Sequence, residues 1–329
     1  MPITCNLLFK VKIVVAVLLL FGCASTEYGK VQSSKELQST IFPELIGSFK
    51  ELSSREFAGR ETGSQGNKKA QNFIENAMSS AGILPFKNSF SHPFSFKKQH
   101  KQWSATNIIG YIPSNTTGCK HIIVLTAHYD HLGQSESGYT YFGADDNASG
   151  TAALLAISRR LNNERVNHNF VILFTDAEEL NLKGAKAFVR MNPDVVDQTI
   201  ININMDMLSG SSEIKKLHYL SHGLGKIPSF NQEKFRDKLR EQSINIKKIT
   251  NGFSIMSNKT KLKWLKASDH GVFHKKGIPV LYFGVGIHKN YHTQRDSFQN
   301  ANKTMLISAT ESIYNVIKFV DQEIKNIKQ

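Results

Sequence analysis

Cysteine is nearly absent from this 329-residue chain, which carries three (Cys5, Cys23 and Cys119). Cys5 is expected to leave with an N-terminal leader and Cys23 to be acylated at its end, which makes Cys119 a lone thiol, rules out an internal disulfide and leaves stability to a packed core. Proline is scarce too, eight in all, and tryptophan scarcer, with two. That scarcity suits ordinary globular composition rather than disorder. Acidic side chains are outnumbered, 27 Asp and Glu against 41 Lys and Arg, for a formal net charge of +14. The excess favours anionic surfaces or acidic partners. It does not point to nucleic acid, because the cations are spread along the chain and the phenylalanines sit in apolar runs, where they are unavailable as stacking platforms.

Long hydrophobic runs are also missing, with one exception near the N-terminus. Lys10 and Lys12 precede the run Ile13 to Phe21, which is too short to span a bilayer comfortably and reads as a signal peptide over residues 1–22. It ends in Leu20-Phe21-Gly22-Cys23, similar to a bacterial lipobox, although Phe21 is bulkier than the usual occupant of its place. The expectation is lipidation of Cys23, a tether over 23–34, and a membrane-anchored lipoprotein facing the periplasm or the cell surface. Ala24 after the cysteine suits outer-membrane sorting in a Gram-negative cell.

Beyond the tether, 40% hydrophobic residues and 21% charged ones suit a globular domain over 35–329. Leu37, Ile41, Leu45, Ile46, Phe49 and Leu52 recur at helical spacing, and Ala70, Phe73, Ile74 and Met78 give a second amphipathic helix over 67–81, stopped at Gly82. Apolar, strand-like runs follow at 107–111, 122–127, 170–175, 200–205 and 280–285, with helices at 151–161 and 307–324. That alternation predicts an α/β fold, a mainly parallel mixed sheet sandwiched between helices. The polar stretch 210–266 is expected to be an insertion with small elements of its own or a flap shaping the substrate site.

Chemistry-bearing residues follow the strands: His128-Tyr129-Asp130, Asp176-Ala177-Glu178-Glu179, Asp206 and His292, with Asp145-Asp146-Asn147 at the start of the helix at 151–161. Sites in open α/β sheets assemble at the C-terminal ends of strands. Any one of these residues alone reads as an ordinary polar group or an N-cap. Together they would crowd carboxylates at a cost that only cations offset. His128, Asp146, Glu179, Asp206 and His292 form a nitrogen and oxygen donor set suited to zinc. Five donors exceed the need of one catalytic zinc and fit two ions sharing a carboxylate.

The ordered set His128-Tyr129-Asp130, Gly143-Ala144-Asp145-Asp146-Asn147-Ala148-Ser149-Gly150, Glu178-Glu179, Asn204-Met205-Asp206-Met207, Ser268-Asp269-His270, Gly277-Ile278-Pro279 and Tyr291-His292-Thr293 with Asp296 resembles the M28 zinc aminopeptidases. With the Gly59-Arg60 loop and the strand at Asn107, the resemblance spans roughly residues 50–320. It implies a zinc-exopeptidase-like three-layer fold, peptide substrates and two zinc ions. Asp146 would bridge them, His128 and Asp206 would complete one site, and Glu179 and His292 the other. Glu178 would be the general base. Asp130 would orient His128, Asp296 would do the same for His292, and Asp145 is the alternate to Asp146. The run Leu180-Asn181-Leu182-Lys183-Gly184 departs from the family's glycine-rich version, which leaves specificity open, and Phe283, Tyr291 and Met207 are candidates for an apolar first-residue pocket.

Three other readings stand beside this one. A carboxypeptidase or dipeptidase on the same metal pair needs a cation for the C-terminal carboxylate, with Arg190, Arg295 or Lys183 available. A glutaminyl cyclase shares the fold but works with a single zinc, and the pairing of His128 with Asp206 speaks against it. A non-catalytic binding module is opposed by the intact donor set.

Overall fold

The computed structural model describes residues 34–249 and 264–324, with side chains from residue 43 onward. The signal peptide, the lipobox and nearly all of the expected tether lie outside the described residues. Among those described, no helix is long and apolar enough to cross a membrane.

Helix α1 (Ser34–Leu52) buries Leu45, Phe49 and Leu52. Helix α2 (Gln65–Ser80) starts where the Ser64 side chain accepts the Asn67 N–H at 3.1 Å, buries Ala70, Ile74 and Met78, and stops before Gly82, whose φ of 72° continues no right-handed helix. Three strands follow: β1 (Leu84–Pro85), β2 (Ser91–Lys98) and β3 (Lys101–Ile112), β2 and β3 forming a long hairpin. The centre of the fold is β4 (Ile122–His128), α3 (Gly150–Asn162), β5 (Asn169–Thr175), α4 (Lys183–Met191), α5 (Pro193–Gln198) and β6 (Thr199–Met205). Next come β7 (Lys216–His222), α6 (Gln232–Arg240), β8 (Asn245–Lys248), α7 (His270–Lys275), β9 (Val280–Gly284) and the closing α8 (Lys303–Glu323).

The strands form one nine-stranded sheet in the order β1-β3-β5-β4-β6-β9-β7-β8, with β2 beside β3. The inner set β5-β4-β6-β9 is parallel, and the hairpin side and β7 join it antiparallel. β4 and β5 are buried at every position, because helices cover both faces, and continuous apolar runs are what such strands need. One core lies under α1, α2, α3 and α8, and a second under α4 and α7, where Phe188 and Phe273 meet at 6.0 Å between ring centroids.

The expected mixed α/β sheet between helices is therefore the observed one. The five strand-like runs all became strands, four within a residue of their expected bounds, while the run at 107–111 is the end of β3, which starts six residues earlier in the hairpin with β2. The stretch 210–266 contains β7 and β8, which extend the main sheet through Tyr219 opposite Phe283.

Candidate metal centre

The parallel register sets the site. His128 ends β4 opposite Thr175 at the end of β5, and Met205 at the end of β6 lies opposite Phe283 in β9. The chain leaves each strand at nearly the same level, so His128, the 176–179 turn and Asp206 open onto one sheet edge. The Asp146 loop arrives over the same edge because Gly143 holds φ at 57°, and a Cβ there would stand 2.3 Å from the Asp146 carbonyl and 2.4 Å from the His131 ring. Left-handed φ values at Ala177, Met207 and His292 put strain beside the same groups, about 1–3 kcal/mol for each non-glycine residue.

All five expected donors come together. Asp146 stands between two sets: its Oδ1 is 3.3 Å from His128 Nε2, and its Oδ2 is 3.0 Å from His292 Nε2. Asp206 Oδ1 is 3.3 Å from His128 Nε2, and Glu179 Oε1 is 3.4 Å from His292 Nε2. The groups His128, Glu178 and Asp206, and His131, Asp146, Glu179 and His292, each place one donor atom per residue within 4.8 Å of the others. The His292 Nε2 atom is buried and lacks hydrogen-bond geometry to either carboxylate despite its closeness. Such an approach without a hydrogen bond suits donors that share an ion.

Supporting residues depart from several expectations. The Asp130 carboxylate accepts the amide N–H groups of Glu178 at 3.0 Å and Glu179 at 3.3 Å. His128 Nδ1 lies 3.2 Å from the Asp130 backbone carbonyl and 3.6 Å from its carboxylate, so the Asp130 side chain positions the two glutamates more than it orients His128. Asp296 does not serve His292. Its oxygens accept the N–H groups of Asp145 at 2.7 Å and Asp146 at 3.0 Å, fixing the loop that carries Asp146. Asp145, the alternate, turns away: it accepts from Ser209 N at 2.7 Å and meets His288 Nε2 at 2.8 Å. Asp269 accepts the Thr175 hydroxyl, and His270 Nε2 lies 2.8 Å from the Trp264 carbonyl, so the Ser268-Asp269-His270 turn braces the sheet edge.

Two residues without an expected role belong to the site. His131 Nδ1 lies 2.9 Å from Glu179 Oε1, and its ring stands edge-on to His292 at 5.7 Å. Its place directly after Asp130 was the only available signal. Arg60 is fully buried and donates to the backbone carbonyls of Tyr129 at 2.7 Å, Phe142 at 2.9 Å and Gly143 at 2.8 Å, tying the His128 turn to the Asp146 loop. Burial lowers its pKa to about 10, against the pull of Asp296 and Asp146.

Electrostatics show what the cluster lacks. Burial alone would depress both imidazoles, yet Asp146 and Glu179 hold His292 up at about 10, and Glu178, Asp206, Asp130 and Asp146 hold His128 well above its ordinary value. Burial raises Glu178 well above the usual carboxylate range; His128 opposes this, while Asp206, Asp269 and Glu179 add to it. Asp206 is raised by burial in the same way. Asp146 is held well below that range despite its burial, by His128 and His292. The carboxylates draw protons onto the imidazoles because among the described residues no Lys or Arg stands between them, and divalent cations would fill that role.

The cavity over these groups holds about 90 Å³ and is lined by four of the donors (His128, Asp146, Glu179 and Asp206), with Glu178, Met207, Trp264, Ile287 and Tyr291 among others. Met207 and Tyr291 therefore stand where expected, whereas Phe283 is fully buried in the core beneath. Among the described residues, no Lys or Arg lines the cavity. Arg190 lines a different groove, beside α4, and Lys183 lies over the Phe96 ring.

Residues 107–317 match peptidase family M28. Aminopeptidase YwaD of Bacillus subtilis (strain 168) is 27% identical over 237 residues, covering 69% of this chain but 48% of that protein, so the chain spans about half the length of that relative. The structure of BSAP, a zinc aminopeptidase from Bacillus subtilis, superposes with a TM-score of 0.65 at 16% identity, covering 87% of this chain and 98% of that one. A glutaminyl cyclase from Bacteroides thetaiotaomicron superposes with a TM-score of 0.62 at 18% identity, covering 85% and 97%. At those identities the two structural likenesses are likenesses of fold.

Proposed function

The chain belongs to peptidase family M28, and from that premise we propose that it is a zinc-dependent aminopeptidase, hydrolysing N-terminal residues from peptides at the edge formed by β4, β5, β6 and β9. The donor set fits two zinc ions: His128, Asp146 and Asp206 for one, and Asp146, Glu179 and His292 for the other. The buried, unbonded His292 Nε2 supports that fit. Zinc in such a site supplies Lewis-acid polarisation of the scissile carbonyl and acidifies water.

The chain's own residues do the rest. Glu178 sits beside His128 and Asp206 without being needed in either donor set, and its backbone is pinned by Asp130. Its carboxylate takes the proton from the water that adds to the carbonyl carbon and hands it to the leaving nitrogen as the C–N bond breaks. Asp296, Asp130 and Arg60 hold the three loops in register.

One observation carries the choice of the N-terminal end. Among the described residues the cavity wall bears four carboxylates and no Lys or Arg, which complements a free α-amino group better than a C-terminal carboxylate. An otherwise identical pair of peptides, one with a free amine and one N-acetylated, tests it by mass spectrometry of the products. Stepwise loss from the free amine end of the first peptide alone is expected, and trimming of the blocked twin from its C-terminus would sink the proposal. A third peptide beginning with glutamine separates cyclisation from hydrolysis. For location, we propose an anchor through acylated Cys23, with peptides from outside the cell or from the periplasm as substrates. The variant Cys23→Ser should then leave the membrane fraction for the soluble one, and retention would contradict the anchor.

A further inference from the structure

A second, larger cavity lies beside the metal centre: an open groove of about 880 Å³ between α4 and α7. Its rim carries Lys186, Arg190, Lys266, Lys275, Lys276 and His274, and among the described residues no carboxylate lines it. Its apolar part is Leu182, Val189, Pro193 and Val272. Lys186 directs its ammonium to the uncharged carbonyl of Asn181 at 2.8 Å.

Two chain segments are shared between the cavities. The turn after β5 gives Glu178 and Glu179 to the metal cavity and Asn181 and Leu182 to the groove. The segment before α7 gives Trp264 and Ala267 to the first and Lys266 to the second. Both helices start at that shared wall, so the groove leads away from the metal centre along them. Helix α4 has nine residues, a rise of roughly 13 Å, which matches about four residues of extended peptide.

We propose that this groove binds an acidic, partly apolar segment of a peptide, so that chains with Asp or Glu several residues beyond the bond to be cut are held along α4 and α7. The proposal rests on the peptidase reading for the direction in which the peptide runs. Cations around an apolar trench match a strand whose acidic side chains reach the rim while its apolar ones enter the trench. Like charges already crowd the rim: after burial, Lys183 and Lys275 lower the pKa of Lys186, and His222, Lys226 and Lys266 lower that of His274. A nucleic acid is the poorer occupant, since among the described residues no Phe, Tyr or Trp lines the groove for base stacking. A membrane surface is poorer too, because the apolar side chains line a concavity rather than a protruding face.

The test uses the full chain and a fluorescent, N-acetylated peptide of alternating Glu and Leu, read by anisotropy so that binding is followed without turnover. The variant K275E/K276E alters the rim, and K68E/K69E on the exposed face of α2 makes the same change of net charge elsewhere. Affinity should fall by roughly tenfold or more in the first variant and less than about twofold in the second. The loss should shrink as salt rises, since screening shortens to about 3 Å at 1 M. If charge reversal unfolds the chain, K275Q/K276Q replaces it. Equal binding by parent and rim variant overturns the proposal, as does equal loss in both variants, or displacement of the peptide by phosphatidylglycerol vesicles in both the parent and K68E/K69E. Cleavage of neutral peptides with no rim-dependent binding leaves the peptidase reading standing without the groove. Rim-dependent binding with no N-terminal cleavage does the reverse.

Discussion

Glu178 and Glu179 are neighbours in the chain with separate tasks, because Asp130 accepts both of their N–H groups and fixes the turn that sends Glu179 to His131 and His292 and leaves Glu178 beside His128 and Asp206. The variant Glu178→Gln keeps the shape of the side chain and removes the proton acceptor. Turnover of a free-amine peptide should fall about 10²–10⁴-fold while zinc content stays at the parent's value. Near-parent turnover would remove Glu178 from its role. The donors themselves were readable because His128, Glu179 and Asp206 follow closely on runs fit only for a buried strand, while Asp146 sits in an acidic pair just before α3 and His292 in the loop after β9. Their supports were less so. Nothing local marks Asp296 as the acceptor for Asp145 and Asp146, 150 residues earlier in the chain, or Arg60 as the clamp on Tyr129 and Gly143.

At the scale of elements, the interior strands announced themselves because both of their faces are buried, so nearly every position is apolar. β7 and β8 did not. β7 lies near the sheet's edge and mixes Lys216 and His222 with its buried Leu217 and Tyr219, while β8 is the four-residue edge strand Asn245–Lys248, with no buried position. β7 exists through pairing with β9, and β8 through pairing with β7, rather than through their own pattern. The closing helix is held by another long-range device: buried Asp321 near the end of α8 accepts the N–H groups of Asn167 and His168 and meets His168 Nδ1 at 3.0 Å, at the start of β5. Removing the carboxylate strands those donors. Asp321→Ala should cost about 3–5 kcal/mol in urea unfolding at an unchanged m-value, and a loss below about 1 kcal/mol would mean that water satisfies them.

For the whole molecule, the cluster makes stability depend on both pH and zinc. Burial raises Asp176 and Asp269 to about 7 and Asp296 to about 6, from 3.8, and neighbouring carboxylates hold His292 at about 10 from 6.5 despite burial. All four bind protons more readily in the folded chain than in the unfolded one. The stability they contribute is present at low pH and lost as pH rises through those values, so the zinc-free protein should lose thermal stability between about pH 5 and pH 8. A melting temperature that climbs over that window would contradict the charge balance described for the site. Zinc should flatten the decline, because cations between the carboxylates replace the protons that the site otherwise holds.

The most direct measurement is a titration of the chelator-stripped protein with zinc, following bound metal and cleavage of a free-amine peptide in the same samples. The account predicts two zinc ions bound per chain, activity that reaches its plateau only as the second site fills, and products shortened from the N-terminus. Full activity with a single ion, or two ions bound without any N-terminal cleavage, would contradict it.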